Sequence, residues 1–368
     1  MSGKVKKHEP PFHIAKRDSL PAYKSWGIRL AAIIIALIVA GIVTMLLTGE
    51  NPISVYGTMI DGAFGSSRRV WKLLQNLAML LCVSLAVTPA FKMRFWNIGA
   101  EGQVLIGGLA TAGCMIMLGG KLPNAVLIIV MIAASMLAGA VWALIPAFFK
   151  AKFNTNETLF TLMMNYVGIQ LVSYFEMYWE NPKGSSNIGI INQATHDGWL
   201  PVIGNYDYLL NVIVVLALTV FMYIYLKYSK HGYELTVVGE SENTARYIGV
   251  NVKKVILRTM ALSGAICGIA GLLLVSGTNH TLSTTTAGGR GFTAIMVSWL
   301  AKFNPIVMVL TSLLLAFLSC GAGEISTVYG FNESFSDIIT GIILFFIIGS
   351  EFFINYQIKF HRSDKEVK

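Results

Sequence analysis

Long apolar runs separated by short polar connections dominate the sequence. The runs that we interpret as membrane spans are 30–48, 73–90, 97–118, 124–148, 158–176, 208–226, 257–276, 291–301, 305–322 and 336–353. A helix needs roughly 20 apolar residues to cross the hydrocarbon core of a bilayer. The pattern therefore predicts an all-α, polytopic membrane protein with about ten transmembrane helices, although the run 291–301 is short.

The composition of the chain supports this interpretation. Of its 368 residues, 55% are hydrophobic and only 13% are charged, whereas soluble globular proteins carry about 25% charged residues. This excludes a soluble enzyme, a disordered protein and a nucleic-acid-binding domain. The four cysteines (Cys82, Cys114, Cys267 and Cys320) all lie in apolar stretches without CxxC spacing, so we interpret them as small buried residues.

The formal charge of +9 is explained by membrane topology, with no need for a nucleic acid partner. An even number of spans places both chain ends on the same side. If that side is the cytoplasm, the basic residues outside the cell are only Arg68, Arg69, Lys72, Lys121, Lys183 and Arg290 of the 28 in the chain. Basic residues concentrate on the cytoplasmic side of membrane proteins, so we predict that both termini are cytoplasmic.

The same pattern predicts three segments. A basic, loosely ordered N-terminal tail spans 1–29, a transmembrane domain spans 30–353, and a C-terminal tail spans 354–368. The first span follows a long charged leader and lacks a small-residue cleavage site, so we expect a permanent helix and not a signal peptide.

Two of the predicted spans are interrupted by glycines. One begins around Gly99 and Gly102, and the other begins around Gly288, Gly289 and Gly291. If spans two to five and seven to ten are repeats, these segments hold equivalent positions and the repeats have inverted topology. Paired, glycine-broken segments in two halves of a transporter indicate its substrate pathway.

Glu101 is the most informative residue because it lies inside an otherwise apolar segment. A charge at mid-membrane costs roughly 2.5–3.5 kcal/mol on insertion scales, so this side chain should not face lipid. One interpretation is a polar lining or gate, shared with Asn97 one helical turn away. The other is a structural glutamate, bonded to backbone amides that Gly99 and Gly102 leave open. The sequence leaves both possible.

Further polar and aromatic residues flank the same segments. Amide side chains in the spans either contact the cargo or form hydrogen bonds between helices. The aromatic side chains either stack on a planar cargo or belong to an aromatic belt at the membrane interface. The candidate pathway residues are Asn76, Trp96, Asn97, Glu101, Gln103, Asn165, Arg290, Phe292 and Trp299. The GxxxG pattern at Gly264 and Gly268 predicts close helix packing.

The sequence contains no motif for chemistry. Its Gly-Lys pairs are not followed by Ser or Thr, so there is no Walker A phosphate loop, and we find no HExxH, GxSxG or metal-ligand spacing. We therefore predict a transport protein and not an enzyme, with no catalytic residues, no metal site and no cofactor of its own. Energy would come from an ion gradient or from another subunit.

The cytoplasmic loop at about 227–256 helps to choose between an ion gradient and another subunit as the source of energy. Its composition predicts a short polar helix capped by Ser241 or Asn243 and ended at Gly249. Such a helix is either a solvated turn or a docking element for a partner. The candidate coupling residues are Glu240, Glu242, Asn243, Ala245, Arg246 and Gly249.

Four stretches of the chain resemble known sequences. Residues 95–103 (FWNIGAEGQ) are similar to the FNIGxEGQ-type segment of bacterial ABC-importer permeases for simple sugars, nucleosides and branched-chain amino acids. Residues 156–166, with NET, TLM and NY, resemble that family's NE-x-TLM-x-NY segment, and residues 238–252 resemble its coupling loop. Residues 262–271 resemble the helix that follows. The closest resemblance is to the larger of two nucleoside-uptake permeases.

The resemblance implies an ATP-driven importer in the bacterial cell membrane. This chain and a second, homologous permease would form the pathway for a nucleoside by alternating access. The coupling loop would dock into a cytoplasmic ABC ATPase that binds ATP and Mg. An extracellular lipoprotein receptor would deliver the nucleoside. The alternatives are a ribose-type or other sugar permease with the same architecture, or an ion-coupled secondary transporter.

Overall fold

The computed structural model describes residues 12–17, 21–204, 206 and 208–360, and this part of the chain is almost entirely helical. The helices are α1 (Ala22–Thr48), α2 (Pro52–Phe64), α3 (Ser67–Lys92), α4 (Ala100–Leu118), α5 (Asn124–Phe153), α6 (Glu157–Tyr178), α7 (Leu209–Tyr228), α8 (Lys230–Glu240), α9 (Glu242–Tyr247), α10 (Val252–Leu274), α11 (Arg290–Leu300), α12 (Pro305–Tyr329) and α13 (Glu333–Asn355). A π-helical turn, Val275–Asn279, extends α10, and two strands are β1 (Phe12–Lys16) and β2 (Tyr356–Phe360).

Eight helices among the described residues are long and apolar enough to cross a membrane, which confirms an all-α, polytopic fold. Two predicted spans are not among them. The fifth corresponds to α6, which has 22 residues but contains the polar residues Asn165, Gln170 and Glu176. The eighth corresponds to α11, whose 11 residues reach only about 16 Å, half of a 30 Å hydrocarbon core. The prediction of a full span at 291–301 is therefore wrong, and α11 is a short helix that follows a loop.

The chain divides into two compact units, Met1–Gly65 with Leu318–Lys368, and Ser66–Phe317. In the first unit, β1 and β2 form an antiparallel pair in which Phe12 lies opposite Phe360. Arg29 of α1 donates through Nε to the Glu351 carboxylate of α13 at 3.1 Å. The predicted N-terminal tail thus contains the strand Phe12–Lys16 and the start of α1, and the pairing places segments 12–16 and 356–360 side by side. Residues 1–11, 18–20 and 361–368 of the two predicted tails lie outside the described residues.

Within the second unit, α10 packs against α3, α4 and α5. Glycines make the closest approaches. A Cβ on Gly264 would lie 2.2 Å from the carbonyl oxygen of Gly139, and one on Gly268 would lie 2.1 Å from that of Ser135. Small residues let membrane helices approach until their backbones touch. The GxxxG pattern in α10 is thus confirmed as a packing surface, and it faces α5.

The loop between α6 and α7 is fixed to the end of α10 by an aromatic stack. The Trp199 ring lies between His280 and His196, with ring centroids 3.7 and 4.3 Å apart. The Ile191 amide donates to the His280 carbonyl at 2.8 Å, and Trp199 Nε1 donates to the Ile191 carbonyl at 2.8 Å. These contacts attach the long loop to the segment that follows α10.

This stack predicts a pH-dependent stability. Burial first, and then the nearby His196, lower the pKa of the His280 imidazole. The unfolded chain then binds a proton at His280 more readily than the folded chain does, so stability falls as the pH drops through and below the ordinary histidine value of about 6.5. We expect H280N to lose less stability than the wild type between pH 7.5 and 5. Asparagine also tolerates the positive φ of 52° at this position.

The measurement is the thermal melting of the full chain in lipid nanodiscs as a function of pH. The matched control is H231N, which removes an exposed histidine of α8 and should keep the wild-type slope. Equal slopes for H280N and the wild type would contradict the prediction.

Candidate functional site

The first turns of α4 and α11 meet at Glu101. The amide of Gly289 donates to Glu101 Oε1 and the amide of Gly291 donates to Oε2, each at 2.7 Å. The side chain is only 7% exposed. A Cβ on Gly291 would lie 2.4 Å from the Glu101 nitrogen, so glycine is required for this approach. The two glycine-broken segments are therefore in contact, while the inverted repeat as a whole stays a prediction.

The environment of Glu101 suits a carboxylate. The amides at a helix N-terminus have no partner within their own helix, and the helix dipole places partial positive charge there. Glu101 lies in the first turn of α4 and accepts hydrogen bonds from the start of α11. Both oxygens thus have backbone donors, as the structural interpretation requires, but the donors are Gly289 and Gly291, not the amides near Gly99 and Gly102. A gating role for Glu101 stays a prediction.

The segment before α4 is held by a buried pair of amides. Asn97 Nδ2 donates to Gln103 Oε1 at 3.4 Å, and Gln103 Nε2 donates to Asn97 Oδ1 at 3.2 Å. Asn97 also bonds to Ser263 of α10 at 3.3 Å. The two amides are 0% and 1% exposed. They stabilise the turn between α3 and α4 and present no surface to a cargo in this conformation.

Helix α6 holds the same segment from the other side. Asn165 accepts from the Gly102 amide and donates to the Ile98 carbonyl, both at 2.8 Å. One turn earlier, Thr161 accepts from the Ile98 amide at 3.1 Å. Segments 95–103 and 156–166, which carry two of the family resemblances, therefore bind each other. This gives a physical reason for both motifs to occur in one chain.

Arg290 and Asn76 are brought together by the structure. Arg290 Nη2 donates to Asn76 Oδ1 at 3.2 Å, and Nη1 donates to the Ala287 carbonyl at 3.2 Å. Arg290 therefore fixes the loop before α11 to α3, in keeping with a structural role.

A second buried polar cluster lies on α3, α7 and the π-helical turn. Asn211 donates to Gln75 Oε1 at 3.2 Å and to the Gly277 carbonyl at 3.3 Å, and Gln75 donates to Thr278. Asn211 and Thr161 were not among the candidate pathway residues predicted from the sequence, although Thr161 lies in the TLM motif. Each is a polar residue inside an apolar span, and that signal could have identified both.

The aromatic candidate residues are more exposed than the polar ones. Trp96 and Trp299 stack with ring centroids 5.7 Å apart and an interplanar angle of 29°. Trp96, Phe292 and Trp299 are 45%, 45% and 49% exposed. Phe292 and Trp299 lie seven residues apart, on one face of α11. Of the predicted pathway residues, these three aromatic side chains are the ones with a large exposed surface.

The predicted coupling segment forms α8 and α9. Ser241 caps α9 by accepting from the Thr244 amide at 3.2 Å, and Gly249 has a φ of +83°, so the predicted cap and stop are confirmed. Glu242 pairs with Arg246 at 3.2 Å.

One side of α9 is anchored and the other is open. Ala245 is 0% exposed, whereas Tyr247 and Ile248 are 92% and 50% exposed. Glu240, Glu242, Asn243, Arg246 and Gly249 are also exposed. Ala245 thus anchors α9, and Tyr247 and the adjacent Ile248 are left exposed. A docking role for α9 stays a prediction.

Comparison with known proteins agrees with this architecture. The family described as "Branched-chain amino acid transport system / permease component" matches residues 69–348. Guanosine ABC transporter permease protein NupP of Bacillus subtilis is 31% identical over 334 residues, which are 90% of this chain and 94% of that protein.

Two further relatives are similar over most of their length. Glucose ABC transporter permease protein TsgB13 of Haloferax volcanii is 29% identical over 353 residues, covering 93% of this chain and 92% of that protein. Nucleoside ABC transporter permease protein NupB of Lactococcus lactis is 26% identical over 329 residues, covering 86% and 89%. With its apolar helices, the chain is a multi-pass protein of the cell membrane, and it belongs to the family of permease components of branched-chain amino acid transport systems.

Proposed function

We propose that this permease forms the pathway for nucleoside uptake in an ATP-driven importer. The observation that carries the proposal is the exposed aromatic surface of Trp96, Phe292 and Trp299, defined here as the aromatic face. Aromatic side chains stack on nucleobases with about 1–3 kcal/mol per base, and every base offers a suitable ring face. The names of the relatives NupP and NupB, which refer to guanosine and nucleosides, support the same cargo.

The position of the aromatic face supports this role. Phe292 directly follows Gly291, whose amide binds Glu101, and Trp299 stacks on Trp96 at the entry to α4. The aromatic face thus lies on the two broken segments, where transporters of several folds place their substrate sites. Small movements of α4 or α11 would change the spacing of the rings.

The proposed assembly has four kinds of subunit. A cytoplasmic ABC ATPase binds ATP and Mg and contacts α9, a second homologous permease completes the pathway, and an extracellular lipoprotein receptor supplies the nucleoside. The exposed Tyr247 and Ile248 support the contact with the ATPase. ATP binding would drive the pathway between its outward-open and inward-open states.

A sugar is the second candidate cargo, because the Haloferax relative is described as a glucose permease. Stacking also occurs between aromatic rings and sugar rings, so the aromatic face alone does not separate the two. Uptake of labelled uridine, ribose and glucose in cells with and without this gene would decide. Loss of uridine uptake alone is the expected result, and loss of sugar uptake alone would overturn the nucleoside assignment.

Removing a ring from the aromatic face should weaken uptake of the cargo. We expect W299A to lower uridine uptake roughly fivefold or more, since one stacking contact is worth about 1–3 kcal/mol. W299F should retain most of the uptake because it keeps a ring. The matched control is F345A, which removes an exposed ring from α13. Equal uptake in W299A and F345A, at equal protein levels, would contradict a role for Trp299 in the pathway.

A further inference from the structure

We infer that Glu101 is a positioning residue that holds the short helix α11 against α4 and thereby sets the position of the aromatic face. The inference rests on the proposed function, because it assigns Glu101 to the same pathway. One buried carboxylate accepts two hydrogen bonds from the start of α11, donated by the amides of Gly289 and Gly291 at 2.7 Å each.

Glu101 is itself held in place by neighbouring helices. Glu101 lies in the first turn of α4, and the next residue, Gly102, is bound through its amide to Asn165 of α6. Asn97 and Gln103 join the same turn to each other and to α10. The carboxylate is therefore fixed by three helices, and it can transmit that position to α11.

The far end of α11 is held separately. Ser298 donates to the Ser84 carbonyl at 3.0 Å and lies 3.2 Å from the Thr88 hydroxyl of α3. With both ends held, α11 has little freedom to rotate or slide against α3 and α4. Releasing the first end should let the helix pivot about the Ser298 end, which would displace Phe292 most because it lies in the first turn.

Helix α11 depends on this contact more than a full span would. Its 11 residues make about three turns, and isolated helices of this length are marginal. The segment before it, 280–289, is not helical, and from that segment the Ala287 carbonyl accepts from the Arg290 amide at 3.2 Å. The amides of Gly289 and Gly291 take their support from Glu101. Two charge-assisted hydrogen bonds, each roughly twice as strong as a neutral one, supply that support.

The variant E101Q tests the inference with little change of shape. A glutamine offers one acceptor oxygen, so it can satisfy one of the two amides, while its NH₂ group faces the other. Hydrogen exchange of the peptide that covers 287–293 should become on the order of tenfold faster or more in the full chain in lipid nanodiscs, because one hydrogen bond to a charged group is lost. Peptides from α3 and α12 should keep their wild-type exchange.

A second variant approaches the contact from the other side. In G291A the new Cβ would lie 2.4 Å from the Glu101 nitrogen, so α11 must move away. We expect the same local increase in exchange as in E101Q. The matched controls are G341A, whose Cβ would enter open space in α13, and E50Q, which changes an exposed glutamate. Neither should alter exchange at 287–293.

Transport kinetics separate a positioning role from a purely structural one. Both variants should raise the KM for the cargo several-fold more than they lower the maximal rate per folded protein, because the aromatic face is displaced while the coupling segment is intact. Unchanged exchange at 287–293 would overturn the inference, as would faster exchange throughout the chain. If the wild type carries a sugar and not uridine, the nucleoside proposal fails, and the exchange data still decide whether Glu101 positions α11.

Discussion

Replacing Tyr247 by alanine should leave the permease folded in the membrane but remove most of its response to the ATPase. The side chain is 92% exposed, so truncating it should cost the fold little. Tyrosine is enriched among the hot spots of protein interfaces, whose truncation costs about 2 kcal/mol or more. We expect cargo-stimulated ATP hydrolysis by the assembled complex to fall more than tenfold. The measurement is ATPase activity of the purified complex with and without Y247A.

The control for this experiment is Y23A, which removes another highly exposed tyrosine, from the start of α1. It should leave both folding and ATPase stimulation unchanged. Wild-type stimulation by Y247A would show that α9 is a solvated turn and not the docking element. A loss of folded Y247A protein would contradict the isolation of this side chain from the rest of the chain.

The variant G268V should prevent the second unit from packing. A Cβ at this position would lie 2.1 Å from the Ser135 carbonyl oxygen, and neither backbone can yield without separating α5 from α10. Overpacking of this kind costs at least about 1–3 kcal/mol, which lowers the equilibrium ratio of folded to unfolded chain roughly fivefold to more than a hundredfold, so we expect a smaller folded fraction than in the wild type. Size-exclusion chromatography of the detergent-extracted chain measures that fraction.

The matched control is G341V, which adds the same side chain to a membrane helix where a Cβ meets open space. It should retain the wild-type elution profile. Normal folding of G268V would show that α5 and α10 do not require contact between their backbones, and that the GxxxG pattern has no packing role.

The two motif segments gain a common explanation from the fold. Asn165 and Thr161 bind the backbone of 98–102, and Glu101 binds the backbone at 289–291. In both cases a side chain satisfies main-chain groups that a broken helix leaves without partners, and such groups must be paired inside a membrane. The motifs therefore specify how broken helices are completed.

Much of the fold could be read from the sequence, because the membrane imposes simple local rules. Apolar runs of sufficient length must be helices, so α1, α3, α4, α5, α7, α10, α12 and α13 were predictable, with limits that differ by several residues. The cap of α9 at Ser241 and its end near Gly249 were also predictable, because helix capping depends on residues that are neighbours in the sequence. The glycine-broken segments and the GxxxG surface were also recognisable from short stretches of the sequence.

What the sequence left open depends on contacts between distant residues. Nothing near Glu101 in the chain indicates that its donors are the amides at 289 and 291, about 190 residues away. Local sequence likewise does not indicate that the amide side chains are buried while the rings of the aromatic face are exposed. It also does not indicate that β1 pairs with β2. Hydropathy and motifs report local free energies, so they determined the long helices and the family, and they predict the sidedness. Only the tertiary structure decided which polar groups complete each other and which rings remain exposed.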